Sequence, residues 1–180
     1  IARRQFRPQL TNRRLYGIFV KLKRVGKGGK KFNVFKLRTM HPYSEFLQAY
    51  IYDRYSLQEG GKFNHDIRVT TLGRIARKYW LDELPMLLNL IKGDMKLVGV
   101  RPISQHYFSL YSPELQAKRI CHKPGLLPPF YADMPKTLEE IEASEMRYLT
   151  MCEEKGTFKT DIIYFWRIFY TIVFKRARSH

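Results

Sequence analysis

Leu81-Asp82-Glu83-Leu84-Pro85-Met86-Leu87-Leu88-Asn89-Leu90-Ile91-Lys92-Gly93-Asp94-Met95-Lys96-Leu97-Val98-Gly99-Val100-Arg101-Pro102 passes from helix to strand within a single run. Asp82 reads as a helix N-cap with Glu83 and Pro85 in the first turn, and Gly93 as the residue that closes the helix. Lys96-Leu97-Val98-Gly99 is then a short extended segment that ends at Arg101-Pro102. Helix and strand so close together point to a mixed fold.

The flanking sequence supports this. Ile18, Val20 and Leu22 alternate with Phe19, Lys21 and Lys23, and Phe35 and Leu37 alternate with Lys36 and Arg38, the period of half-buried strands. Gly26-Lys27-Gly28-Gly29-Lys30 between them tolerates positive φ, which makes a basic β-hairpin. Pro42 and Ser44 announce a helix with Phe46, Leu47, Tyr50, Ile51 and Tyr55 on one face, stopped by Gly60-Gly61. After a loop through Asn64, His65 and Asp66, Thr71 is expected to cap a short helix carrying Arg74, Arg77 and Lys78. Ser104 and Ser112-Pro113 each open a further helix, Thr137 with Glu140 forms a capping box, and Asp161 caps the last helix. No repeat or low-complexity tract appears, so the expected organisation is a basic arm over 1–15 and a single α+β domain, dominated by helices, over 16–180.

The 180 residues include 33 Lys and Arg against 16 Asp and Glu, a net charge of +17. Such an excess calls for an anionic partner: nucleic acid, a lipid surface or a phosphorylated substrate. Apolar residues at 44% and aromatics at 14% exclude a disordered chain. The charge is uneven, because no acid precedes Glu45 while Arg3, Arg4, Arg7, Arg13, Arg14, Lys21, Lys23, Arg24, Lys27, Lys30, Lys31, Lys36 and Arg38 all do. Cys121 and Cys152 have neither metal spacing nor a disulfide framework, which favours a reducing, intracellular setting. His41, His65, His106, His122 and His180 lack Cys or acidic partners at ligand spacing. No signal peptide opens the chain, whose first residue is Ile1, so a membrane segment upstream would not be seen.

The last helix is apolar nearly all round, from Ile162 to Phe174, and Lys175, Arg176 and Arg178 follow it. At ~1.5 Å per residue this run spans about 20 Å, short of the ~30 Å hydrocarbon core. Aromatic rings beside a basic cluster suit an interfacial helix on an anionic membrane surface, and 161–178 is read so; a buried core helix with a solvated basic tail is the plain alternative.

The chemistry centres on Asp82-Glu83. A pair of acids at a helix start is commonly a capping device. Here it follows Arg77 closely and precedes Arg101-Pro102, so carboxylates and phosphate-binding bases alternate. An ionised Asp is a competent nucleophile toward phosphorus, and an adjacent Glu can hold a divalent cation that offsets phosphate charge. Arg77 and Arg101 are candidate clamps, since the planar guanidinium fork matches phosphate oxygens. Lys36 and Arg38, alternating on one strand face, are candidates for phosphate or lipid headgroups, or a solvated face.

The runs Val25 to Lys30, Phe35 to Met40, Asp66 to Arg74, Leu81 to Pro85 and Leu88 to Pro102, taken in order, resemble the bacterial sugar transferases. These are the monotopic polyprenyl-phosphate sugar-1-phosphate transferases that begin exopolysaccharide, O-antigen and glycoprotein glycan assembly. The resemblance covers roughly residues 16 to 125. It implies that Asp82 is the nucleophile and Glu83 the second member of an Asp-Glu dyad associated with Mg²⁺ (or Mn²⁺), both carboxylates serving the metal. It implies a UDP-sugar donor, a polyprenyl phosphate acceptor, and a site at the cytoplasmic face of the bacterial inner membrane. Arg77, Arg101, Lys36, Arg38 and Lys123 become the expected phosphate-binding bases.

The chain departs from the family pattern in two places. After Lys123-Pro124-Gly125 it has Leu126-Leu127-Pro128-Pro129-Phe130-Tyr131 where an Ile-Thr-Gly-Trp-Ala-Gln-type run is usual, so donor identity does not carry over from that loop. Members also carry a hydrophobic re-entrant helix just before the hairpin, where this chain has Ile1 to Leu15; such a helix lies upstream of Ile1, or docking is by other means. Two other readings compete: a basic nucleic-acid-binding module, and an inactive family scaffold. An Asp-Glu pair set between arginines has no place in the first, and the intact dyad argues against the second, so no nucleic-acid partner is expected.

Overall fold

The computed structural model describes residues 17–41, 44–47 and 66–174. The basic arm, the helix expected through Tyr50, Ile51 and Tyr55 with its Gly60-Gly61 stop, Asn64, His65, and the bases Lys175, Arg176 and Arg178 lie outside these residues. Mixed helix and strand make the α+β class. The described residues divide into two compact units: 17–20, 36–41, 44–47 and 66–85 fall in one, and 21–35 with 86–174 in the other.

In the first unit, α1 (Thr71–Lys78) is capped by Thr70, whose side chain accepts from Gly73 N, one residue before the expected Thr71. Thr70 also donates through N and Oγ1 to the Thr39 carbonyl, at 2.9 and 3.2 Å. Those bonds draw the helix start so close to the chain at Thr39 that a Cβ at Gly73 would collide with the Thr39 carbonyl. Met40 and Val69 form an antiparallel bridge alongside. Asp66 grips Arg68 through the backbone N and the guanidinium, at 2.7 to 3.0 Å. The apolar positions Leu72, Ile75 and Tyr79 of this region are exposed.

The body of the hairpin, β1 (Phe19–Val25) and β2 (Lys31–Leu37), belongs to the second unit. Gly28 and Gly29 take φ of 68° and 70°, the left-handed turn that their sequence predicts. The inner face of β2 buries Val34 against Met86 and Met95. Asn89, fully buried in α2 (Leu87–Ile91), makes this packing specific. Its amide nitrogen donates to the Asn33 carbonyl (2.7 Å) and to Asp94 Oδ2 (3.2 Å), and its Oδ1 accepts from Phe35 N (3.1 Å).

After Gly93, β3 (Lys96–Val98) pairs in parallel with β4 (Gly125–Leu127), Lys96 opposite Gly125 and Val98 opposite Leu127. A Cβ at Gly125 would strike the backbone of Gly99, so the close approach dictates glycine. Between them run α3 (Gln105–Leu110), capped by Ser104 as its sequence predicts, and α4 (Pro113–Cys121), with proline in its first turn. α5 (Phe130–Asp133), α6 (Leu138–Lys155) and α7 (Thr157–Phe174) complete the unit. Thr137 caps α6 by accepting from Glu140 N, and Glu140 reaches back to Lys136 N. The core gathers Val98, Val100, Leu115, Tyr148, Leu149, Tyr164 and Ile168.

Two expectations change here. Asp161 is not the cap of the last helix, because α7 begins at Thr157; its carboxylate instead takes Lys96 Nζ at 2.8 and 2.9 Å and the Tyr148 hydroxyl. α7 is two-sided rather than uniform: Thr160, Tyr164, Ile168 and Thr171 are buried, while Phe158, Trp166, Phe169, Tyr170 and Phe174 are exposed. Among the described residues no helix is long and apolar enough to cross a membrane.

Candidate active site

The turn that carries the two carboxylates is built differently from the N-capped helix that the sequence suggests. Trp80 takes φ 55°, a left-handed conformation unusual for a bulky residue, and its carbonyl accepts from Glu83 N at 3.1 Å. A tight 3₁₀ turn, Leu81–Met86, follows and runs into α2. Asp82 therefore lies inside the first turn rather than at the position that precedes it. Pro85 lies inside this turn, one residue before Met86, the N-cap of α2.

Within the first unit the fold assembles Lys36, Arg77, Asp82 and Glu83, four of the residues singled out from the sequence. Lys36 Nζ pairs with Glu83 Oε1 at 2.6 Å, both side chains being largely buried. Arg77 Nε donates to Thr39 Oγ1 at 2.9 Å. Burial pushes the Asp82 carboxyl above the usual carboxylate range; Lys36 pulls it back, neighbouring Glu83 pushes it up again, and Arg77 pulls it down. Burial likewise lowers the Arg77 guanidinium, against the opposing pull of Asp82 and Asp66. The result is a half-buried carboxylate facing two cations, with a second carboxylate beside it held by one of them. A guanidinium and an ammonium are donors of the kind that bind phosphate oxygens, and a carboxylate is of the kind that can act as a nucleophile.

Arg38 belongs to the same unit, where its Nε donates to the Gly17 carbonyl at 2.9 Å and so braces the start of the hairpin. Arg101 and Lys123 belong to the second unit. The Arg101 guanidinium lies over the Phe130 ring, 5.6 Å from its centroid, and Lys123 Nζ lies over Gly93. Phe130 falls in the stretch that departs from the family pattern, so this departure is in contact with one of the candidate clamps.

Sequence reasoning missed Thr39 and Asn89. Thr39 is buried and holds Arg77, but a threonine after a basic strand carries no signal of its own. Asn89 showed a weak one, a lone amide among the apolar residues of the helix. Among the described residues no cluster of three or more His, Cys, Asp or Glu could hold a metal, and Cys121 and Cys152 are free thiols.

A family model described as bacterial sugar transferase matches residues 9–175. The uncharacterized sugar transferase EpsL of Bacillus subtilis (strain 168) is 39% identical over 109 residues, 61% of this chain and 48% of that protein. The UDP-glucose:undecaprenyl-phosphate glucose-1-phosphate transferase of Caulobacter vibrioides is 43% identical over 106 residues, 57% of this chain and 36% of that one. The UDP-N-acetylgalactosamine-undecaprenyl-phosphate N-acetylgalactosaminephosphotransferase of Aeromonas hydrophila is 36% identical over 107 residues, 57% and 22% of the two. The chain spans about half or less of the length of these relatives. The family match takes in the hairpin, α1, the Asp82-Glu83 turn and the Arg101-Pro102 turn together, and the chain belongs to the bacterial sugar transferase family.

Proposed function

We propose that this chain transfers a sugar-1-phosphate from a UDP-sugar to undecaprenyl phosphate or a similar polyprenyl phosphate, at the cytoplasmic face of the bacterial inner membrane, and so begins an exopolysaccharide or O-antigen-type glycan. The observation that carries this reading is the half-buried Asp82 carboxylate, which shares one unit with the Lys36–Glu83 ion pair and the Arg77 guanidinium held by Thr39. The names of the Caulobacter and Aeromonas relatives, which state a UDP-sugar and undecaprenyl phosphate, supply the substrate classes.

In this reading an Asp82 carboxylate oxygen attacks the sugar-bearing phosphorus. The bond from that phosphorus to the oxygen bridging the two phosphates breaks, UMP leaves with the electron pair, and an acyl-phosphate joins the sugar phosphate to Asp82. A phosphate oxygen of the polyprenyl phosphate then attacks the same phosphorus. The Asp82–phosphorus bond breaks, yielding polyprenyl diphosphate sugar and the free carboxylate. Arg77 neutralises the phosphate oxygens from a position fixed by Thr39, and Lys36 holds Glu83 in place. Arg101 is a further phosphate-binding base on the strength of its charge and the family resemblance, and Arg38 and Lys123 are so on the strength of their charge.

Asp82 and Glu83 suit a Mg²⁺ or Mn²⁺ ion that shares its shell with substrate phosphate, which needs only one or two protein carboxylates. Their mutual repulsion, visible in the upward push of Glu83 on Asp82, is what a divalent cation relieves. When bound, the ion supplies charge neutralisation to the phosphates.

Membrane attachment fits the exposed apolar side chains of α7, Phe158, Trp166, Phe169 and Tyr170, which Lys175, Arg176 and Arg178 follow in sequence. The deciding experiment mixes the protein with radiolabelled UDP-glucose, UDP-galactose and UDP-N-acetylgalactosamine in turn and measures UMP release and protein-bound label. Wild type is expected to release UMP and hold label with one of them, and Asp82→Asn to do neither. Label passing to lipid at the wild-type rate in Asp82→Asn refutes the nucleophile assignment.

A further inference from the structure

The second unit contains a buried ion pair that the proposed chemistry leaves unused. Arg119 of α4 and Glu145 of α6 are 5% and 0% exposed, and their side chains form a close salt bridge. Removing two charges from water is expensive, and apolar pairs of similar volume are often at least as stable. This pair even leaves Arg119 Nε and Glu145 Oε1 buried without hydrogen-bond partners. Stability alone is therefore a poor reason for its presence.

The other contacts of the pair supply a better one. Arg119 donates a second guanidinium nitrogen to the backbone carbonyl of Arg101 at 2.6 Å. Burial pushes the Glu145 carboxyl up and Arg119 opposes it. Through Arg119 the pair thus holds the backbone carbonyl of one residue, and that residue is the base read as a phosphate clamp. Packing of Arg119 over Tyr111, 5.2 Å from the ring centroid, fixes the guanidinium plane from the side.

We infer that Arg119 and Glu145 are positioning residues for the transfer, which hold the Arg101-Pro102 turn in one conformation so that the Arg101 guanidinium meets phosphate without a search. The inference rests on the reading of Arg101 as a phosphate-binding base. Neither residue touches substrate; both act through Arg101. Misplacing a catalytic contact by about 1 Å can cost on the order of a hundredfold in rate.

The test is a set of double-mutant cycles, read as UMP release from the UDP-sugar that the wild-type enzyme accepts, with thermal melting as the check on folding. Arg119→Lys and Glu145→Gln are each expected to lower kcat/KM about ten- to a hundredfold, dividing the loss between kcat and KM as Arg101→Ala does. In the Arg101→Ala background the same changes are expected to add less than about twofold, because what they position is gone. The paired replacement Arg119→Met with Glu145→Leu keeps the core packed, and is expected to melt near wild type yet transfer as poorly as Arg119→Lys. If that well-folded pair transfers at the wild-type rate, or if the losses multiply in full with Arg101→Ala, the positioning role is refuted while Arg101 keeps its own. If Arg101→Ala itself behaves as wild type, the clamp reading fails and the inference fails with it.

Discussion

Lys36–Glu83 and Arg119–Glu145 are both pairs of a base and a glutamate, one in each unit, and their surroundings differ in a way that separates chemistry from scaffold. Lys36 and Glu83 retain 18% and 16% side-chain exposure, whereas Arg119 and Glu145 retain 5% and 1%. A pair that water partly reaches separates at less cost than a fully buried one, so Lys36 and Glu83 part more readily than Arg119 and Glu145. A buried pair has no such freedom, because separating it strands a charge in the core. The comparison teaches that depth of burial sets how readily a glutamate can change partner, each pair being judged within its own unit.

The widest gap between activity and stability is expected at Asp82. Asp82→Asn should reduce protein-bound label by more than about a thousandfold. Its melting temperature near neutral pH should equal or exceed that of wild type, since folding raises the carboxyl above its usual range and so disfavours the charged form. The sign follows from linkage. The penalty is absent below the ordinary carboxylate pKa and grows as pH rises through the folded value, so any advantage of Asn should vanish in acid. A melt in which Asp82→Asn is clearly the less stable protein at neutral pH would place Asp82 in the scaffold.

The opposite pattern is expected at the buried pair. Arg119→Met alone leaves the Glu145 carboxyl without its partner and should cost about 3–5 kcal/mol, while the double replacement Arg119→Met with Glu145→Leu should restore most of it. Chemical denaturation measures both, and equal losses in the single and double variants would show that the pair stabilises by itself.

Much of this contrast was legible in the sequence on one side only. Asp82, Glu83, Arg77 and Lys36 announce themselves because charges flank one another in short runs, and the hairpin announces itself through alternation and Gly28-Gly29. Glu145 and Arg119 look like ordinary surface charges on amphipathic helices, since their burial depends on contacts far along the chain. Asp161 misled for a related reason: an acid before an apolar run suggests a cap, but Lys96 and Tyr148 claimed its carboxylate and the helix began earlier. The 3₁₀ turn at Leu81–Met86 was hidden because its entry depends on a left-handed Trp80, which no residue preference predicts.

Asn89 offers a buried polar contrast without charge. Asn89→Ala removes the hydrogen-bond partners of Phe35 N and the Asn33 carbonyl, and a buried group left unsatisfied costs about 1–3 kcal/mol. The loss should appear as a lower denaturation midpoint with an unchanged denaturant slope. A smaller effect is expected on α7, where the buried and exposed faces can be separated. Trp166→Ser with Phe169→Ser should weaken binding to vesicles containing anionic lipid by about tenfold or more, from the loss of two large apolar groups. The melting temperature should hardly move, because both side chains are exposed. Undiminished vesicle binding would remove α7 from the membrane contact.

The finest test returns to the hydrated pair. Burial raises Asp82, and of the charges around it Lys36 does most to lower it again. Lys36→Met therefore removes a downward pull and also releases Glu83 from its partner, leaving that carboxylate freer to push Asp82 up; both changes have the same sign. The acid limb of phosphosugar-enzyme formation, measured at saturating Mg²⁺, should move to higher pH in Lys36→Met. The fold should lose less than the roughly 3–5 kcal/mol expected for Arg119→Met, because the Lys36–Glu83 pair is less deeply buried. An acid limb that stays in place would mean that the limb does not report Asp82, and that Lys36 serves Glu83 or phosphate rather than the ionisation of the nucleophile.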